Sequence, residues 1–193
     1  MTDRAATDVA LIERYLAGDA AAFADLMQAH EDRVFGICLR MLRDREAALD
    51  ATQETFITVL RKVDRFAGRS AFSTWLYRVA VNTCYDLARR TTRRATVPLP
   101  EGSDPADPAA VSAMETVELR PDVERALADL PAEYRAAVVL ADLQGLGLDT
   151  VAEVLGIPVG TVKSRVFRGR RLLAESLGNL RGPGGSPRDE DHA

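Results

Sequence analysis

Apolar residues recur through most of this chain at helical spacing, and nowhere at the two-residue alternation of a half-buried strand. Leu148, Val151, Ala152 and Leu155 fall at i, i+3, i+4 and i+7, which predicts a short amphipathic helix. Gly156 follows at once and suits the left-handed position that closes a helix. Pro158 then fixes φ near the start of the next helix. In that second helix Val159, Val162, Val166, Gly169 and Leu173 share one side. Ser164, Phe167, Arg168 and Arg171 share the other, flanked by Thr161 and Lys163. The pair reads as a helix-turn-helix.

The same spacing sets out the rest. A short helix is expected over 8–17, with Thr7 as N-cap and Gly18 as stop. Asp19 can cap the next helix, which carries Phe23, Leu26, Val34, Ile37, Cys38, Met41 and Leu42. A third helix over about 46–63 turns Thr52, Phe56, Val59, Leu60 and Val63 inward, and Asp50, Gln53, Glu54, Ile57 and Arg61 outward. A loop over 64–70 leads to a fourth helix over about 73–93. Its inward face is Trp75, Leu76, Val79, Ala80, Thr83 and Leu87; its outer stripe is Thr74, Arg78, Asn82, Tyr85 and Arg89. Helices resume near Pro121 and again over about 132–143. Between 95 and about 116 stand four prolines, a glycine and several acids, a composition that predicts a flexible linker. Residues 1–7 and the tail are too poor in apolar side chains to order themselves. The expected fold is all-α: two small helical domains, 8–94 and 118–178, joined by a flexible linker at 95–117. The second is a four-helix domain containing the helix-turn-helix, followed by a disordered tail at 179–193.

Charge sharpens this picture. The net charge of -4 argues against nonspecific coating of nucleic acid, but the charge is segregated. Residues 158–171 hold five basic residues and no acid, whereas 101–129 hold eight acids and two arginines. Arg89, Arg90, Arg93 and Arg94 form a second basic cluster. Local DNA contacts separated by an acidic spacer fit this distribution. A helix packed on one face and cationic on the other fits a major groove, where arginine pairs bidentately with guanine. Cys38 and Cys84 have no CxxC spacing, and His30 and His192 have no ligand set nearby, so both cysteines read as small buried residues and no metal or cofactor is expected. There is no Gly-rich phosphate loop and no nucleophile–base pair, which leaves an enzyme without support. With no signal peptide and no long apolar run, a cytoplasmic protein with reduced thiols is expected, without membrane insertion.

Four segments, in order, carry a family resemblance: DATQETF from Asp50, FSTWLYRVAVN from Phe72, LPAEYR from Leu130 and GIPVGTVKSR from Gly156. The chain resembles the extracytoplasmic-function sigma factors, the smallest class of bacterial RNA polymerase promoter-specificity subunits. The resemblance implies a first domain that docks on the clamp of the largest polymerase subunit and reads the −10 element as single-stranded DNA. It implies a second that sits at the flap of the second subunit and reads the −35 element as duplex. It also implies restraint by an anti-sigma factor. The core-binding role falls on Asp50, Gln53 and Glu54, with Ile57 on the same face. The −10 role falls on Arg69, Ser70, Thr74, Trp75, Arg78, Asn82, Arg89 and Arg90. The −35 role falls on Thr161, Lys163, Ser164, Arg165, Phe167, Arg168 and Arg171. Three positions depart from the family pattern: Ala51 and Thr52 are small, and Gly147 replaces a serine or threonine N-cap, a weaker cap by a few tenths of a kcal/mol.

Each assignment has a plainer alternative. The Asp50–Ile57 face could be solvated, although acids at i and i+4 repel unless a cation meets them. Trp75 lies on the apolar stripe, which favours core over base stacking. Asn82 is a poor helix former whose amide both donates and accepts, so it is harder to assign to structure alone. The arginines at 89–94 could simply complement a helix end; phosphate contact is the alternative. A stand-alone helix-turn-helix regulator would account for the second domain and leave the first without a role.

Overall fold

In the computed structural model, described over residues 2–66, 68, 70–95 and 121–180, eight α-helices and no strands are present among those residues. The linker expected at 95–117 lies outside them apart from Ala95, which ends a helix, and 181–193 of the expected tail also lies outside.

Helix α1 spans Thr2–Leu16, so residues expected to be disordered are helical and Thr7 sits inside the helix rather than capping it. The reason is tertiary. Asp8, three per cent exposed, accepts a hydrogen bond or ion pair from His30 Nε2 at 2.9 Å, and Ile12 is buried one turn on. That anchor fixes the helix from its middle. Helix α2, Ala20–Leu42, begins where Asp19 accepts from Ala21 N, as its sequence implies. It ends at Arg43, a non-glycine residue held left-handed at φ 64°. Asp44 caps α3, Arg45–Leu60, accepting from Ala47 N at 2.7 Å. A single 3-10 turn, Val63–Arg65, leads to α4, Phe72–Ala95.

The first domain packs α2, α3 and α4 around Leu26, Val34, Phe35, Ile37, Val59, Leu76 and Tyr77. Helix α3 corrects the inward assignment of Leu60, which is 43% exposed. Thr74, assigned to the outward stripe of α4, is buried, and Tyr85, further along that stripe, is half-buried.

Cys38 and Cys84 are both buried and unbridged. A hydrogen bond to Cys38 and burial push the Cys84 thiol far up, so it stays protonated at neutral pH. Burial closes both sulfurs to reagent, so native protein should resist alkylation by iodoacetamide at pH 8, both thiols reacting only after denaturation. Rapid labelling of the folded chain would contradict this packing.

The second domain comprises α5 (Pro121–Asp129), α6 (Ala132–Val138), α7 (Leu148–Leu155) and α8 (Val159–Leu180). The sequence pattern extends α6 to Leu143, and the chain does so through a π turn, Val139–Leu143. Gly169 lets α8 close on α6: a Cβ there would lie 2.6 Å from Val138 Cγ2. Leu127, Leu130 and Val138 form the local core with Val123, Leu143, Leu172 and Leu173 around them. The two domains are in contact. Val151, Val154, Val162 and Val166 belong to the same apolar cluster as the core of the first domain.

Candidate nucleic-acid and partner-binding surfaces

The helix-turn-helix forms for local reasons that are readable in its sequence. Gly156 adopts φ 65° and its N–H closes α7 on Ala152 O. Pro158 O accepts from Thr161 N and Val162 N at 2.9 and 3.1 Å, starting α8. Gly147 opens α7 without a side-chain cap. Val162 and Val166 are buried, so the opposite face must point out. Lys163, Ser164, Arg168 and Arg171 are exposed there, and Thr161 and Arg165 are half-buried. Phe167 stands among them 69% exposed, the most exposed large apolar side chain among the described residues. Exposing a phenylalanine ring in a cationic row suits contact with base edges, thymine methyls included. Arg170 is withdrawn to Asp142, donating to Oδ2 at 3.0 Å, and this bond raises its pKa. Arg171 reaches Glu175 at 3.3 Å across an exposed surface, a weak tie.

On α4, Arg78, Asn82, Arg89 and Arg90 are exposed along one side. Arg89 is paired with Asp86. Asn82 and Arg90 share a polar cleft of about 250 Å³ with Glu54, Thr58, Lys62 and Asp86. Trp75 does not join this face. It is half-buried against Phe66 and Phe72, with ring centroids 5.6 and 5.8 Å away. Thr74 is buried, which removes it from the exposed site; Ser70 is half-buried, and Arg69 lies outside the described residues.

The third surface is an apolar groove of about 550 Å³ between α2 and α3. Asp50, Gln53 and Ile57 line it, together with Phe23, Met27, Glu31, Leu49, Thr52, Phe56 and Leu60. Ile57 is half-buried rather than exposed. Glu54, one turn on from Asp50, lines the neighbouring cleft that holds Asn82 rather than the groove. Sequence reasoning missed Leu49, Leu60, Met27 and Glu31. Leu49 and Leu60 are eleven residues apart, three full turns, so the second stripe was present in the sequence.

The family model for Sigma-70 region 2 matches residues 26–94, and that for Sigma-70, region 4 matches residues 120–173. The ECF RNA polymerase sigma factor SigE of Mycolicibacterium smegmatis is 40% identical over 166 residues, covering 83% of this chain and 64% of SigE. The ECF RNA polymerase sigma-E factor of Haemophilus influenzae is 36% identical over 181 residues, covering 89% of this chain and 95% of that protein. A solved sigma factor RpoE from Bartonella quintana, in complex with the anti-sigma factor NepR, superposes with a TM-score of 0.66 at 25% identity, covering 81% of this chain and 96% of that one. Both domains thus match bacterial sigma-factor regions, in the order the fold presents them. The chain belongs to the extracytoplasmic-function sigma factors.

Proposed function

We propose that this protein is an alternative sigma factor that binds core RNA polymerase and directs it to a specific promoter set. The observation that carries the reading is the outer face of α8, where Phe167, Lys163, Ser164, Arg168 and Arg171 are presented while Val162 and Val166 anchor the other side. That face enters the major groove of the −35 element. The Asn82–Arg90 side of α4 takes the −10 element as a single strand, with Arg78 beside it. The groove lined by Asp50, Gln53 and Ile57 receives a helix of the polymerase clamp, and the second domain sits at the flap. An anti-sigma factor restrains the protein by competing for these surfaces, as the Bartonella relative's complex with NepR suggests. The protein acts in the cytoplasm, as a non-catalytic subunit.

Run-off transcription with purified core enzyme on genomic templates tests the whole. Defined start sites that depend on this protein are expected. A protein that shifts promoter duplex by itself and adds nothing to core enzyme would instead be a stand-alone regulator. Within that assay, Arg168→Ala with Arg171→Ala should lose upstream-element recognition. A base-reading arginine contributes about 1–3 kcal/mol and relaxes preference at one position when removed, whereas a phosphate contact weakens all sequences alike. Wild-type transcription from the double variant would count against a groove-facing α8.

A further inference from the structure

Not every cation of α8 is equally free to hold DNA. Lys163 and Arg170 are seven residues apart, two helical turns, so they stand in line on one flank of the exposed face. A cation on that flank is placed for backbone phosphate. Arg170 meets a carboxylate there instead. Its Nε donates to Asp142 Oδ2 at 3.0 Å and its Nη2 donates to Oδ1, a two-point pair between residues 28 apart in the chain. The Asp142 side chain is only 30% exposed, against 61% for Arg170. The carboxylate is fixed from its own side. Asp142 lies in the π turn, Val139–Leu143, which Gln144 N closes on Val139 O at 3.0 Å. Val138, one turn before Asp142, packs where Gly169 leaves room, and Gly169 is the neighbour of Arg170. The pair therefore sits on a packed junction between α6 and α8. Arg171 is held differently: it touches Glu175 at one point, 3.3 Å, within a single helix and with both ends well exposed. Such a contact yields readily to a phosphate.

We propose that Asp142 sets the stringency of upstream-element reading by acting through Arg170: it cancels that cation and so limits the sequence-independent grip of α8. The proposal rests on reading α8 as the −35 face. Some N–H groups of Arg170 stay free, but the pair carries no net charge. A phosphate that reached those groups would lie beside the Asp142 carboxylate and be repelled by it. Attraction and counterion release on this face then come from Lys163, Arg168 and Arg171. Few phosphate contacts leave occupancy dependent on base contacts, so a promoter with a poor upstream element stays unfilled. A bare Arg170 would add about one phosphate contact for every sequence alike. Poor elements would gain most from it, because good ones are already filled.

The test uses holoenzyme assembled from purified core enzyme and the full chain. Asp142→Asn keeps an oxygen for Arg170 and removes only the charge. Binding to a promoter-free duplex is followed by fluorescence anisotropy over a series of salt concentrations. The slope of log K against log salt should steepen by about one, with affinity at low salt raised about three- to tenfold. Run-off transcription from a promoter with a substituted upstream element should rise by a similar factor, while the intact promoter changes little. The double variant Asp142→Asn, Arg170→Ala should return to the wild-type slope. Helix content by circular dichroism should be unchanged, since both side chains of the pair keep contact with water; Asp142→Ser replaces Asp142→Asn if it is not. The proposal is overturned if Asp142→Asn leaves the slope unchanged or makes it shallower, the result expected of a carboxylate that only braces α8. It is also overturned if the double variant stays as steep as the single one. The Arg168→Ala, Arg171→Ala holoenzyme separates this from the reading beneath it. If that variant lowers the slope and Asp142→Asn does not raise it, only the role of Asp142 fails. If that variant changes neither the slope nor upstream dependence, α8 is not the −35 face and both fall.

Discussion

Arg135→Met should cost this protein most of the stability of its second domain, and more than any surface change. Arg135 is 8% exposed, and its donors are spent on backbone. Nε meets Leu127 O at 2.9 Å, Nη2 meets Ala128 O and Leu130 O at 2.8 and 2.7 Å, and Nη1 crosses to Met41 O. One guanidinium thus ties off the end of α5, fixes the turn into α6 and holds the domain to its neighbour. Burial, and then the nearby charge of Arg43, lowers its pKa, but arginine starts so high that it stays charged at neutral pH. Hydrogen bonds to charged groups contribute about 1.5–3 kcal/mol each, and a carbonyl left dry carries its own desolvation cost. These terms do not add, so a loss on the order of 4 kcal/mol is the working figure. In a domain this small that lowers the melting temperature by more than about 15 °C. Lysine retains one donor group and should fall between. Thermal unfolding followed by circular dichroism should rank wild type above Arg135→Lys above Arg135→Met. A methionine variant that melts within a degree or two of wild type would show that these bonds contribute little.

What could be read without the structure was what local chemistry decides. Asp19, Gly156 and Pro158 set helix boundaries through their own backbone or side-chain preferences, and the structure places the boundaries where they say. The all-helical fold, the helix-turn-helix and the exposure of Phe167 follow from periodicity. What escaped depends on distant partners. Residues 2–7 are helical, and Asp8 sits in mid-helix rather than at its start, where His30, twenty-two residues on, holds it. Leu60 and Ile57 exchanged roles because α3 carries an apolar stripe on two sides, and periodicity alone cannot say which one meets the core. Thr74 satisfies the outward pattern of α4 but is buried in the first turn of that helix. The hydrogen bonding between the two domains was least legible of all. Its acceptors are backbone carbonyls of Met41, Ala128 and Glu153, and a carbonyl has no side-chain signature.

The groove offers the second large effect, and it separates two residues that share a helix. Asp50→Lys with Ile57→Asp should reduce capture of core polymerase by well over tenfold. Ile57 is half-buried at the floor of an apolar groove, where a bound helix would seal it from water. A carboxylate there must be desolvated on binding, which costs several kcal/mol when no cation meets it. Lysine at 50 turns attraction for a basic rim into repulsion. In the free chain both positions keep access to solvent, so helix content and melting should change little. Glu54→Lys should behave differently. Glu54, one turn on from Asp50, lines not the groove but the neighbouring cleft that holds Asn82 and Arg90. Its reversal should leave core capture close to wild type and alter promoter opening instead, read by permanganate reactivity of the melted strand. Asn82→Ala should share that defect on the proposed role of its amide at the separated strand. If Glu54→Lys and Asp50→Lys weaken core capture equally, the polymerase covers the whole outer face of α3 and the groove is not the docking site. If neither weakens it, the clamp binds elsewhere on the first domain.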